Sequence, residues 1–156
     1  MNWEAIGAIG EIIGALAVFL TLAYLAIQIR QNTKAVRASA IDSSVNAMQD
    51  IRKVFLEHVE ITDLYLKGSD NPEDLNQSES MQYRLLLTNI MWSGLNLYTQ
   101  SKYAGLSESL WESNKHVVKR VLNTNGGIWY WSAFKHEYDK TFVQEIDKII
   151  SNSKTE

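Results

Sequence analysis

The run from Ile12 to Ile29 carries no Asp, Glu, Lys or Arg over 18 consecutive residues. Nothing else in the chain limits its possible structures so sharply. Coiled as an α-helix, such a run is about 27 Å long, close to the ~30 Å hydrocarbon thickness of a bilayer. It lies inside a longer tract, Ala5 to Arg37, that begins almost wholly apolar and ends basic. The reading is a membrane-spanning helix that continues into a soluble one. Extending the span back to Ala5 gives room for tilt and takes in Glu11. Trp3 stands just ahead of it, where an indole would lie among headgroups. Tyr24 is too deep for such an anchor. The competing reading is a buried helix of a soluble protein. A secretory signal is disfavoured, because the start is acidic at Glu4 and no small-x-small cleavage site follows.

The flanks give an orientation. Arg30, Lys34 and Arg37 follow the span with no acid among them, while Glu4 and Glu11 are the only charged side chains before it. Basic residues are retained on the cytoplasmic side, so the expected topology is N-terminus outside and C-terminal domain inside. The same basic cluster is placed to meet anionic lipid.

The span also has a patterned face. Gly10, Gly14, Ala17, Thr21 and Gln28 recur at steps of three, four or seven, and Ile12, Leu16, Phe19 and Ala23 lie opposite. Gly10 and Gly14 form a G-x-x-x-G pair. Small residues on one stripe let helix backbones approach closely in lipid, and Thr21 and Gln28 can hydrogen-bond across such a contact. Glu11 lies near this stripe. A carboxylate within hydrocarbon is costly unless protonated, paired or wet. It reads either as an ion or proton site inside an oligomer or as a headgroup-level residue at the edge of a span that begins at Ile12. The second reading fits the uncharged run.

The remaining chain is read as all-α. With 156 residues it can hold one span and one small domain. A formal net charge of -3 gives no general affinity for nucleic acid. The absence of cysteine excludes disulfides and thiolate metal sites. Apolar spacing is helical nearly throughout, and no segment alternates as a strand would. The expected organisation is a transmembrane segment over 1–29, a connecting amphipathic helix over 30–57 and a helical soluble domain over 58–156.

No Gly or Pro interrupts the chain between Gly14 and Gly68, so one helix can run from Trp3 to Glu57. Over its second half Ile41, Val45, Met48, Ile51 and Phe55 share a face. A short helix from Val59 to Lys67 is expected to stop at Gly68. Ser69 to Ser78 reads as an acidic loop, without the glycine and terminal Glu of an EF-hand. Glu79 to Tyr103 reads as a bundle's core helix; its uncharged stretch from Leu85 to Ser101 is too polar for a second span. Another helix starts near Leu106 with Ser107 as N-cap and has Leu110, Asn114, Val117 and Val121 on one face. Asn125-Gly126-Gly127 reads as a turn. Helices over Ile128–His136 and Lys140–Ser151 close the chain, the last burying Phe142, Val143, Ile146, Ile149 and Ile150.

The segments WEAIGAIGEIIGALAV, AIQIRQNTKAVRASA, LYLKG, AGLSESLWES and NGGIWYWSAFKHEY together resemble a family of small bacterial membrane proteins. In that family the last tract reads G-G-x-x-W-W; Gly126, Gly127 and Trp131 match, and Tyr130 replaces the first Trp. The resemblance covers nearly the whole chain. It implies a bacterial protein with one co-linear domain, and it implies no activity; taken with the span, the expected location is the bacterial inner membrane.

Catalytic signatures are sparse. His58, His116 and His136 form neither H-x-x-x-H nor H-E-x-x-H, and no P-loop, Rossmann or G-x-S-x-G pattern occurs. Glu112 and His116 at i, i+4 read as a helix-surface pair. Trp111, Trp129, Tyr130, Trp131 and Phe134 read as core, with a ligand box as the alternative. No cofactor or metal is expected, and no catalytic residue is assigned. The expected partners are membrane lipid and either a second copy or another membrane helix. The leading functional class is a membrane-tethered helical interaction or regulatory module on the cytoplasmic face. An oligomeric ion-conducting assembly using Glu11 and an enzyme with a dispersed site stay open.

Overall fold

The computed structural model describes residues 2–103 and 108–153. Six α-helices make up nearly all of them: α1 Trp3–Glu57, α2 Val59–Asp70, α3 Gln77–Tyr103, α4 Glu108–Leu122, α5 Asn125–Phe134 and α6 Lys140–Ser153. Short 3₁₀ turns lie at Pro72–Asp74 and Lys135–Glu137. The all-α class read from periodicity is the observed one. Helix α1 runs without a break from its apolar start into the helical bundle, as the lack of Gly and Pro after Gly14 allows. It ends at His58, whose backbone is extended.

The chain divides into two compact units, one up to Ser39 and one from Ala40 onward. In the first, every described side chain is exposed. Phe19 is 68% exposed and Leu20 66%. This is the one helix among the described residues long and apolar enough to cross a membrane.

In the second unit, α3 is the central element. Tyr83, Leu87, Met91, Gly94, Leu97 and Tyr98 form its buried stripe at helical spacing. Helix α4 packs on it most extensively, and α5 and α6 pack on α4 in turn. Trp111, Val118 and Leu122 of α4 meet Tyr130 and Trp131 of α5 and Phe142 and Ile146 of α6 in one core. Burying each large apolar side chain is worth about 1.5–3 kcal/mol, so this cluster is what holds the unit together.

Several local starts and stops differ from expectation. Helix α2 passes through Gly68 to Asp70. Gly68 is there for space: a Cβ on it would stand 2.7 Å from the Tyr83 ring. Helix α3 begins two residues before Glu79, because Asn76 and Glu79 cap it reciprocally. The Glu79 N–H donates to Asn76 Oδ1 and the Asn76 N–H to Glu79 Oε2, each at 2.9 Å. The Asn125-Gly126-Gly127 tract is the first turn of α5 rather than a free turn. Thr124 caps it, its Oγ1 accepting from the Gly127 N–H at 2.9 Å. The expected start at Leu106 and Ser107 lies outside the described residues.

Candidate functional site

Two features stand out from the packed core. The first is the uncovered apolar part of α1. Gly10, Gly14, Ala17, Thr21 and Gln28 are all exposed, as are Glu11, Arg30, Lys34 and Arg37. A Cβ on Gly10 or Gly14 would meet nothing within 4 Å. The Thr21 hydroxyl donates to the Ala17 carbonyl of its own helix at 2.8 Å, which leaves it only acceptor capacity toward a neighbour. Arg30, Lys34 and Arg37 form no ion pair among the described residues.

The second feature is a cleft of about 310 Å³ in the unit that begins at Ala40. Its first wall is the end of α1, with Met48, Ile51, Arg52 and Phe55. The facing wall is α4, with Asn114, Val117, Arg120 and Val121. Ile90 and Ser93 of α3 and Tyr65 of α2 complete the lining. A second hollow of about 260 Å³ shares Met48, Arg52, Asn114 and Val117 and reaches Ser44 and Leu97. The two form one groove along α1.

The groove exists because α1 is fastened to the rest of its unit at two points. At one, Gln100 Nε2 donates to Ser44 Oγ at 3.0 Å, and Ser44 is only 2% exposed. At the other, the Phe55 ring meets Tyr65 edge-on at 5.3 Å, and Thr62 Oγ1 donates to the Phe55 carbonyl at 3.0 Å. Between them Met48 and Ile51 are half-buried, and Val45, expected on the same face, is exposed. On the opposite wall Trp111, Val118 and Leu122 turn into the core, which leaves Leu110 and Val117 to line the groove.

Polar groups punctuate this surface. Asn114 is 4% exposed, yet its Oδ1 has no hydrogen-bond partner among the described residues. Leaving a buried polar atom unpaired costs about 1–3 kcal/mol. Arg52 and Arg120 are exposed at the groove and have no acidic partner among the described residues. No acidic side chain borders either hollow.

The other residues singled out by sequence do not assemble into a reactive site. His116 and His136 are exposed, and His58 Nδ1 lies 3.0 Å from Glu60 Oε1 at the head of α2. Glu112 pairs with Lys115 at 2.8 Å rather than with His116, and Lys115 also meets Glu145 at 3.1 Å. Burial pulls the Lys115 ammonium down, and the bonds to the two carboxylates more than offset it, so the group is held above its ordinary range. The hollow beside Glu112 is lined by neither His116 nor His136. No group of three or more His, Cys, Asp or Glu among the described residues could hold a metal.

The aromatic tract is core. Trp111, Tyr130 and Trp131 are buried, and Trp129 and Phe134 are half-buried against them. Trp131 Nε1 donates to Asp147 Oδ1 at 2.8 Å. The Thr88 hydroxyl donates to the Arg84 carbonyl at 2.8 Å, so at 2.9 Å it accepts from Tyr130. Tyr130 in turn accepts from Tyr138 at 2.6 Å. Burial foremost, and then the bond to Tyr130, hold the Tyr138 phenol well above the ordinary range, so it stays protonated.

Sequence reading passed over Arg52 and Arg120, which lie on different helices and carry no local motif. Asn114 did leave a signal, as a polar residue on an otherwise apolar helical face. These features define a helical-bundle protein whose first helix carries an uncovered apolar segment, with an amphipathic groove in the bundle. No protein-family model matches the chain, and no curated protein or solved structure matches it.

Proposed function

We propose that this chain is a membrane-tethered helical interaction or regulatory module. In this reading the apolar part of α1 lies in the bacterial inner membrane, the N-terminus outside and the helical domain in the cytoplasm. The observation that carries it is the complete exposure of the apolar segment, in a chain whose other large apolar side chains mostly enter a core. A contiguous apolar surface of that extent marks a membrane or protein contact. The uncharged run supports the membrane, because its length suits a bilayer's hydrocarbon. Arg30, Lys34 and Arg37 support the orientation. The resemblance to small bacterial membrane proteins points the same way. A module rather than an enzyme is favoured by histidines that stand apart and by carboxylates, such as Glu112, that are paired with lysine.

Fractionation of expressing cells tests the anchor. The chain is expected in the membrane pellet after alkaline carbonate extraction, and recovery in the supernatant would overturn the reading. A reporter active only outside the cytoplasm, fused after Glu156, is expected to be silent. Activity there would reverse the orientation.

A further inference from the structure

We propose that the groove between α1 and α4 is a binding site for a single-chain anionic amphiphile. Its alkyl chain would lie among Met48, Ile51, Phe55 and Val117, and its head on Arg52 and Arg120. Two observations meet here. The walls are apolar along the stretch of α1 between its fastenings at Ser44 and Phe55, about 16 Å of helix. The cleft volume of about 310 Å³ falls at the lower end of the ~300–1,000 Å³ range of small-molecule pockets.

Charge supplies the second observation. Arg84, Lys67, Lys115 and Lys135 each have a carboxylate partner, at 2.9, 2.7, 2.8 and 3.2 Å. Arg52 and Arg120 have none among the described residues, and both border a cleft that no acid lines. Guanidinium groups bind carboxylate and phosphate through paired, charge-assisted hydrogen bonds. A long apolar lining beside two uncommitted guanidiniums is complementary to an apolar tail with an anionic head. A neutral apolar ligand would leave that charge unused.

The site lies wholly beyond Ala40, so the inference stands independently of whether the first helix is in a bilayer.

The test uses the full chain in nanodiscs of phosphatidylcholine, with empty discs as the partition baseline. Radiolabelled dodecanoate, kept below its micellar concentration, is measured by equilibrium dialysis. Saturable single-site binding above the baseline is expected. Arg52→Gln and Arg120→Gln should each weaken it roughly tenfold, the scale of one charge-assisted hydrogen bond. Val117→Trp, which fills the cleft and leaves both charges, should weaken it at least as much. Dodecyl phosphate should displace the label and dodecanol should not. Circular dichroism checks that each variant stays folded, as expected for the arginines because both side chains are exposed. Absence of saturable binding would overturn the proposal. So would wild-type binding by both arginine variants, or displacement by dodecanol as effective as by dodecyl phosphate.

Discussion

Gly126 lies so close to Gly68 that a Cβ built on it would stand 2.1 Å from the Gly68 carbonyl oxygen. The same carbon would lie 2.3 Å from the Tyr83 hydroxyl. The start of α5 therefore docks directly on the end of α2, and Asn125 Nδ2 seals the junction by donating to the Asp70 carbonyl at 2.7 Å. Gly126→Ala forces backbone apart and should destabilise the domain by at least ~1–3 kcal/mol. Gly10→Ala, with open space around it, should leave the unfolding midpoint of the domain unchanged. Urea denaturation followed by circular dichroism compares the two.

Trp131 is 4% exposed and its indole N–H is bonded to Asp147. Trp131→Ala removes a large core side chain and should cost about 3–5 kcal/mol, enough to unfold much of the domain. Trp131→Phe keeps most of the apolar contact and loses the bond, so its cost should be smaller. A folded, stable Trp131→Ala protein would contradict the core assignment.

Asn114 should behave in the opposite way. Its unpaired oxygen costs stability in the free protein, so Asn114→Leu is expected to be neutral or stabilising by up to ~1–3 kcal/mol. Leu has the same branched shape as Asn, so its two methyl groups take the places of the amide oxygen and nitrogen. Thermal unfolding of wild type and variant decides it, and a large loss of stability would mean the amide is satisfied after all.

Alkaline pH should loosen the core through its phenols. Burial holds Tyr83 and Tyr138 above the ordinary phenol value of 10.0. The folded state keeps these protons where the unfolded chain releases them. Their contribution is therefore intact below about pH 10 and is lost as the pH rises above it, by up to ~1.4 kcal/mol per pH unit for each group. Tyr138→Phe should be less stable at neutral pH, because Tyr130 loses its donor, and should show a shallower alkaline decline. Urea midpoints across that range give both numbers, and an unchanged slope would remove Tyr138 from the explanation.

Association through the first helix has its own test. In lipid, apolar side chains gain nothing by leaving lipid, so close packing must supply the attraction. Gly14→Ile places bulk on the small stripe of Gly10, Gly14, Ala17, Thr21 and Gln28 and should weaken self-association. Leu16→Ile on the opposite face should change little. A membrane two-hybrid assay or crosslinking compares them, and equal effects would remove the stripe from the argument.

Periodicity was enough to read the helices, because each is decided by residues three and four apart. The helix from Trp3 to Glu57, the core helix that became α3 and the apolar face of α6 were legible for that reason. The capping pair Asn76 and Glu79 was also readable in principle, since both partners lie within one turn. The role of Gly126 and Gly127 was not. Two glycines after an asparagine have the local chemistry of a turn; here they open α5 behind the Thr124 cap, and Gly68 and Val121 lie so close that neither position has room for a Cβ.

The sequence by itself determined the class of the fold and the one helix that could cross a bilayer. Both follow from local hydrophobic spacing and from the length of an uncharged run. Only the tertiary structure decided which polar residues are spare. Lys115 found two carboxylates, Trp131 found Asp147, and the three tyrosines Tyr83, Tyr130 and Tyr138 found hydroxyl partners. Arg52, Arg120 and the Asn114 oxygen, brought to one groove from two helices, found none among the described residues. Pairing of charges and hydrogen bonds depends on distances between segments far apart in the chain, and those distances are set by how the helices pack.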